Sequence, residues 1–136
     1  MLRSRPFLMF TGQAEQTLAL YGEAFADFRL LGLRRHGDGG PGVPGTVYQA
    51  SFVLGGTHYQ CMDSPDVHSF GFTPALSLFV EFDSHDHFER AARVLGEGGQ
   101  WLMPAGEHDF SRRYGWVQDR FGVSWQLNLG AMPDPS

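Results

Sequence analysis

The sequence predicts an α+β protein made of two βαβββ modules that form a curved mixed sheet around a concave cavity. Three observations predict it. The order strand, helix, strand, strand, strand can be read twice along the chain, at about residues 5–64 and 75–130. A polar, proline-bearing connector over residues 63–74 separates the two runs. The 136 residues suffice for one domain with a single sizeable core, and neither small sheet can bury both of its faces alone.

The first module opens with the apolar run Phe7-Leu-Met-Phe10, read as a strand. Thr11-Gly12 offers a helix N-cap, with Glu15 in the first turn, where the helix dipole favours an acid. Ala14, Leu18, Tyr21 and Phe25 recur at helical spacing and make one apolar face. Residues 31–36 read as a second strand. The glycine- and proline-rich residues 37–45 read as a flexible hairpin connection, too irregular to cradle a phosphate. Residues 47–54 and 57–62 are the third and fourth strands, paired through a turn at Gly55-Gly56.

The second module restarts at Leu76-Ser-Leu-Phe-Val-Glu-Phe82. Asp83-Ser84 caps a helix whose apolar face is Phe88, Ala91, Ala92 and Leu95, closed by Gly96. Residues 101–103 are a short strand and residues 104–113 a loop. A hairpin follows: Tyr114, Trp116 and Val117 suit one half-buried strand, and Val123, Trp125 and Leu127 the other. Asp119-Arg120-Phe121-Gly122 between them ends in the glycine that a reversal needs. Residues 131–136 are a loose tail.

Composition narrows the function classes. With 42% hydrophobic and 18% charged residues the chain is a globular protein and not a disordered one. A net charge of −5 gives no general attraction to nucleic acid or to anionic membranes, so neither is an expected partner. The pairs Arg34-Arg35, next to His36, and Arg112-Arg113 read as solvated loop charges. Twelve phenylalanines and three tryptophans leave rings to line a pocket as well as to fill the core. The single cysteine, Cys61, excludes an internal disulfide or a thiolate cluster. Met1-Leu-Arg-Ser-Arg5 has no signal-peptide h-region and no stretch reaches the length of a membrane span, so a cytoplasmic location is expected.

Within the doubled order, Pro6-Phe-Leu-Met-Phe-Thr-Gly-Gln-Ala-Glu15 and Tyr114-Gly-Trp-Val-Gln-Asp-Arg-Phe-Gly-Val-Ser-Trp-Gln126 carry a family resemblance. The chain resembles the PhnB-like branch (3-demethylubiquinone methyltransferase-like) of the vicinal oxygen chelate superfamily, which includes glyoxalase I, extradiol dioxygenases and bleomycin-resistance proteins. The resemblance spans essentially the whole chain. In the superfamily's metal enzymes it implies four ligands on the concave face, one on each of four strands. Carried over position by position, these fall on Pro6, Gln60, Ser77 and Gln126. Proline has no side-chain ligand atom, serine is a poor ligand and a neutral amide binds weakly, whereas zinc, iron and nickel sites use imidazole, thiolate or carboxylate. The expectation is therefore no metal and no cofactor, and none of the Lewis-acid chemistry typical of the superfamily. The resemblance also implies a homodimer, which exposed sheet ends favour.

Strand alternation fills in the rest of the concave face. Pro6 brings Leu8 and Phe10 with it, Gln60 brings His58 and Met62, Ser77 brings Phe79 and Glu81, and Gln126 brings Ser124 and Asn128. The ligand-binding candidates are Phe10, Gln60, Ser77, Phe79, Trp101, Trp116 and Gln126; for the two tryptophans, pocket wall and plain core both stay open. A Glu81 carboxylate among Phe10, Phe79 and a tryptophan would have its pKa raised by desolvation and could act as a general base with His58. At a solvated strand end it would do neither. Cys61 has the outward parity of a small buried hydrophobe. His85-Asp-His87 has metal-pair spacing, yet its place at a helix start suits a cap region. Residues 104–113 are a lid candidate through His108, Phe110 and Arg112, or an ordinary surface loop.

The leading expectation is a PhnB-like protein that binds a small hydrophobic or aromatic molecule in the concave cavity without metal. Two alternatives stand beside it: a metal-independent isomerase or lyase using Glu81 and His58, and a bleomycin-resistance-like protein that sequesters an antibiotic.

Overall fold

The computed structural model describes residues 2–65, 68–108 and 111–135, and only the backbone of residues 111 and 112. The described chain contains eight strands and two helices in the doubled order. They are β1 (Phe7–Phe10), α1 (Ala14–Ala24), β2 (Arg29–Arg35), β3 (Val47–Leu54), β4 (Thr57–Asp63), β5 (Ser77–Phe82), α2 (His85–Gly96), β6 (Gln100–His108), β7 (Ser111–Gln118) and β8 (Ser124–Leu129). Hydrogen bonding divides the strands into two four-stranded mixed sheets, ordered β1-β4-β3-β2 and β5-β8-β7-β6. In each, the first strand runs parallel to the last and the other pairs are antiparallel. The chain has two compact units: residues 1–22 with 26–71, and residues 23–25 with 72–136.

In the first unit one face of the sheet is the core. Leu8, Phe10, Ala50, Phe52, Leu54, Tyr59 and Cys61 are all buried. Tyr21 of α1 meets the Phe52 ring at 6.3 Å between centroids, and Phe52 stacks on Tyr59 at 4.9 Å. Cys61 is the small buried hydrophobe its parity predicts, with its thiol pushed up to about 12 by desolvation and then by the nearby Asp63 charge. The β3–β4 hairpin turns at Gly55 and Gly56, whose φ values of 58° and 79° suit a two-residue turn matched to the strand twist.

Helix α1 is capped from far along the chain. Asp63, 2% exposed at the end of β4, accepts Gly12 N–H at 2.8 Å and Ala14 N–H at 3.0 Å through Oδ1, and Val47 N–H at 2.9 Å through Oδ2. Thr11, the expected cap, reaches only the Gln13 side chain. The carboxylate supplies full negative charge where the helix's free N–H groups point, which a threonine hydroxyl cannot. The expected basic run is likewise not a loop: Arg34 and Arg35 end β2, Arg35 forks onto Glu15 of α1, and His36 is buried, its Nε2 at 2.9 Å from the Asp63 carbonyl.

In the second unit α2 is capped by Ser84, whose hydroxyl accepts His87 N–H, as the sequence predicts. Phe88, Ala91, Ala92, Val94 and Leu95 form its buried stripe. Trp125 and Leu127 are fully buried, and Phe25 lies 5.0 Å from Trp125 and 6.4 Å from Phe82. The β7–β8 turn is held by Asp119, 3% exposed, which accepts Phe121 N–H, Val123 N–H and the Trp125 indole N–H at 2.9–3.1 Å. Gly122 takes the positive φ of 94° that the reversal needs.

Residues 104–108, expected in a loop, continue β6. They pair irregularly with β7, through register shifts between Trp101 and Met103, Met103 and Gly106, and Gly106 and His108. Proline and glycine survive there because β6 is an edge strand with one row of unpaired backbone groups. Of the three lid candidates, His108 lies in this strand, while Phe110 and the Arg112 side chain are outside the described residues.

Candidate functional site

Register decides which candidates share a face. In the second sheet Ser77 lies opposite Ser124, Phe79 opposite Gln126 and Glu81 opposite Asn128; across β8, Gln126 faces Trp116 and Asn128 faces Tyr114. Ser77, Phe79, Glu81, Trp116 and Gln126 therefore share the face turned away from α2. Trp101 does not. It pairs with Val117, and its ring lies against Gly96 of α2 and against Gly115, so the core reading holds for it. Trp116, half-buried on the open face, is the tryptophan that borders the site.

Two sets of hydrogen bonds lie on this face. Ser77 Oγ and Ser124 Oγ are 2.7 Å apart, and the Trp116 indole donates to Ser124 Oγ at 2.8 Å. The Tyr114 hydroxyl donates to Gln126 Oε1 at 2.7 Å. Burial pushes the Tyr114 phenol up, so it stays a neutral donor. Gln126 Nε2 has no acceptor among the described residues and is left to donate beside the Phe79 ring, which is 40% exposed. Glu81 is exposed, and its Oε2 accepts Met132 N–H at 2.5 Å. The tail so held borders a cavity of about 280 Å³ with Phe79 and Glu81. Glu81 thus lacks the apolar surroundings expected for a general base.

In the first sheet His58, Gln60 and Met62 share the open face, as predicted, and Gln60 Nε2 reaches Ser51 Oγ at 3.4 Å. The first strand is out of phase with expectation. Phe7, not Pro6, lies opposite Gln60, while Phe10 lies opposite Asp63, is 3% exposed and belongs to the helix-covered core. Four consecutive apolar residues carry no alternation to fix the phase, and pairing with β4 sets it instead. The sequence reading placed Ser124 on this face beside Gln126 but missed Tyr114 as the partner of Gln126; its parity with Trp116 was the available signal.

Of the four positions expected from the resemblance, Gln60, Ser77 and Gln126 lie on the open faces of their sheets, and Phe7 stands opposite Gln60 where Pro6 was expected. Among the described residues no group of three His, Cys, Asp or Glu side chains could hold a metal ion. His85 instead lies near Asp86 and Glu89 on the surface of α2.

Residues 3–128 match the sequence profile of the family described as 3-demethylubiquinone-9 3-methyltransferase. The chain belongs to this PhnB-like family. Among solved structures it is similar to a Bacillus cereus protein described as a putative 3-demethylubiquinone-9 3-methyltransferase, PhnB protein. The two are 39% identical over 95% of this chain and 100% of the other, with a TM-score of 0.89. A Pseudomonas aeruginosa protein is 26% identical over 96% and 98% of the two chains, with a TM-score of 0.81. A glyoxylase/bleomycin resistance protein/dioxygenase domain from Frankia, 18% identical over 96% and 98% of the chains with a TM-score of 0.66, shares the fold. No functionally curated protein matches. These proteins and this one thus share a fold. Among the described residues no helix is long and apolar enough to cross a membrane.

Proposed function

We propose that this PhnB-like protein binds a small aromatic molecule, without metal, on the open face of its second sheet. The observation that carries the reading is the exposed Phe79 ring beside Gln126, whose amide oxygen is held by Tyr114 and whose amide nitrogen is free to donate. An aromatic ligand with a ring-borne oxygen would stack on Phe79, border Trp116 and accept from Gln126. The donor chemistry supports the metal-free part. Phe7 has no ligand atom, Gln60 and Gln126 are neutral amides, and Ser77 Oγ is engaged by Ser124, so the set does not fit a divalent cation. The same face gives the proton-transfer alternative no support, because Glu81 is exposed and occupied by the tail.

The test is a titration with 2-naphthol followed by amide and indole NMR shifts. Shifts centred on Phe79, Trp116 and Gln126, with affinity lost at least tenfold in Phe79→Ala and Gln126→Leu, are expected. Shifts confined to other residues, or saturable binding of zinc, nickel or manganese by calorimetry, would overturn the reading. We also propose a homodimer, supported by the edge strand β2, on which Leu30 and Leu31 are 44% and 45% exposed. A monomeric mass by light scattering at working concentration would reject it.

A further inference from the structure

We propose a second ligand site on the first module, selective for a small carboxylate or similar oxyanion, with Arg34 as its charged anchor. A cavity of about 370 Å³ is lined by Gly32, Leu33, Arg34, Gln49, Ala50 and Ser51. Its shape comes from a β-bulge. Leu30 lies opposite Phe52 and Gly32 opposite Ser51, so Leu31 is extra in β2. The extra residue reverses the phase of the strand and puts Gly32 and Arg34 on the same face as Arg29, which lies opposite Val53. Gly32 then leaves the floor open: a Cβ built there would meet nothing within 4 Å.

Charge decides what the cavity takes. The chain has an overall charge of −5 and all ten of its basic Lys/Arg residues are arginines. Most of those in helices and strands already have acceptors: Arg35 on Glu15, Arg93 on Glu97, Arg113 on Glu89 and Arg90 on the Glu23 carbonyl. Arg29 and Arg34 have none among the described residues, and both lie on the open face of β2. That face carries no Asp or Glu: β3 contributes Gln49, Ser51 and Val53, and β4 contributes His58, Gln60 and Met62. A guanidinium fork with an amide and a hydroxyl beside it presents donors in the geometry a carboxylate accepts, and its planar donors favour it over a neutral amide.

Benzoate and its neutral isostere benzamide, titrated into the full chain at low salt, test the proposal. Benzoate is expected to bind at least tenfold more tightly, to weaken with added salt, and to shift the backbone amides of Gly32, Arg34 and Ser51. Arg34→Gln should remove the preference for benzoate. Gly32→Val, which fills open space, should weaken benzoate at least tenfold without lowering Tm. Equal affinity for the two probes, a preference that survives in Arg34→Gln, or benzoate shifts centred on Phe79 and Trp116 would each overturn it. The site shares no residue with the aromatic site of the second module, so each proposal fails on its own readout.

Discussion

The two modules have the same strand order but are fastened at opposite ends. In the first, a buried carboxylate at the end of the last strand, Asp63, gathers the start of α1 and the start of β3. In the second, the buried carboxylate Asp119 sits in the turn before the last strand and gathers that turn and the Trp125 indole, while α2 starts on a local serine. Asp63 joins elements as far apart as 51 residues, whereas the bonds from Asp119 to Phe121, Val123 and Trp125 span 2, 4 and 6. Identical topology therefore does not dictate identical fastening. What recurs is the physical requirement that N–H groups at buried chain ends find an acceptor.

The largest way to break the comparison is Asp63→Ala. It strands three N–H groups from two elements, and an expected loss of about 3–5 kcal/mol follows from the desolvation cost of unmet buried donors. Urea unfolding measures it, and a loss under 1 kcal/mol would show that the long-range clasp is dispensable. Asp119→Ala should cost about 2–4 kcal/mol, less because one of its three donors, the Phe121 N–H, lies in the part-exposed turn and can reach water. If it cost more than Asp63→Ala, the contrast between long-range and local fastening would be reversed. Ser84→Ala should cost only about 1 kcal/mol, the usual worth of a serine cap.

The smallest effect concerns the ion pair between α1 and β2. Arg35 donates to Glu15 and holds its carboxyl below the ordinary value of 4.5. A depressed folded pKa means that the pair's contribution is present above the ordinary carboxylate range and is lost as pH falls through the folded value. In Arg35→Gln the Glu15 carboxyl should titrate at its ordinary value by NMR. No change would detach the helix from this strand electrostatically.

Much of this architecture was legible because its signals are local. The Gly55-Gly56 turn, the Ser84 cap and the alternation of β4, β5 and β8 are each written within a few neighbouring residues, and the duplicated order is the sum of such local signals. What was not legible depends on residues distant in sequence. Nothing beside Thr11 shows that Asp63 will cap its helix. Phe7 to Phe10 is apolar at every position, so only pairing with β4 fixes that Phe10 is core. Pro104 and Gly106 look like loop residues until β7 supplies a partner. The bulge at Leu31 leaves no mark in composition, yet it decides the face on which Arg34 appears. Parity placed Ser77, Phe79 and Gln126 on one face of the second sheet, whereas the side on which Trp101 falls depends on its pairing with β7, a strand pair broken by register shifts.

The distribution of two rare residue types gives the modules separate native reporters. Cys61 is the only thiol, it lies in the first module, and its titration near 12 together with full burial leaves almost no reactive thiolate at neutral pH. All three tryptophans, Trp101, Trp116 and Trp125, belong to the second. Thiol-exchange kinetics then time the opening of one half while indole emission times the other, on unlabelled wild-type protein. Coincident rates would mean a single cooperative folding unit; divergent rates would show that the repeat still melts as two.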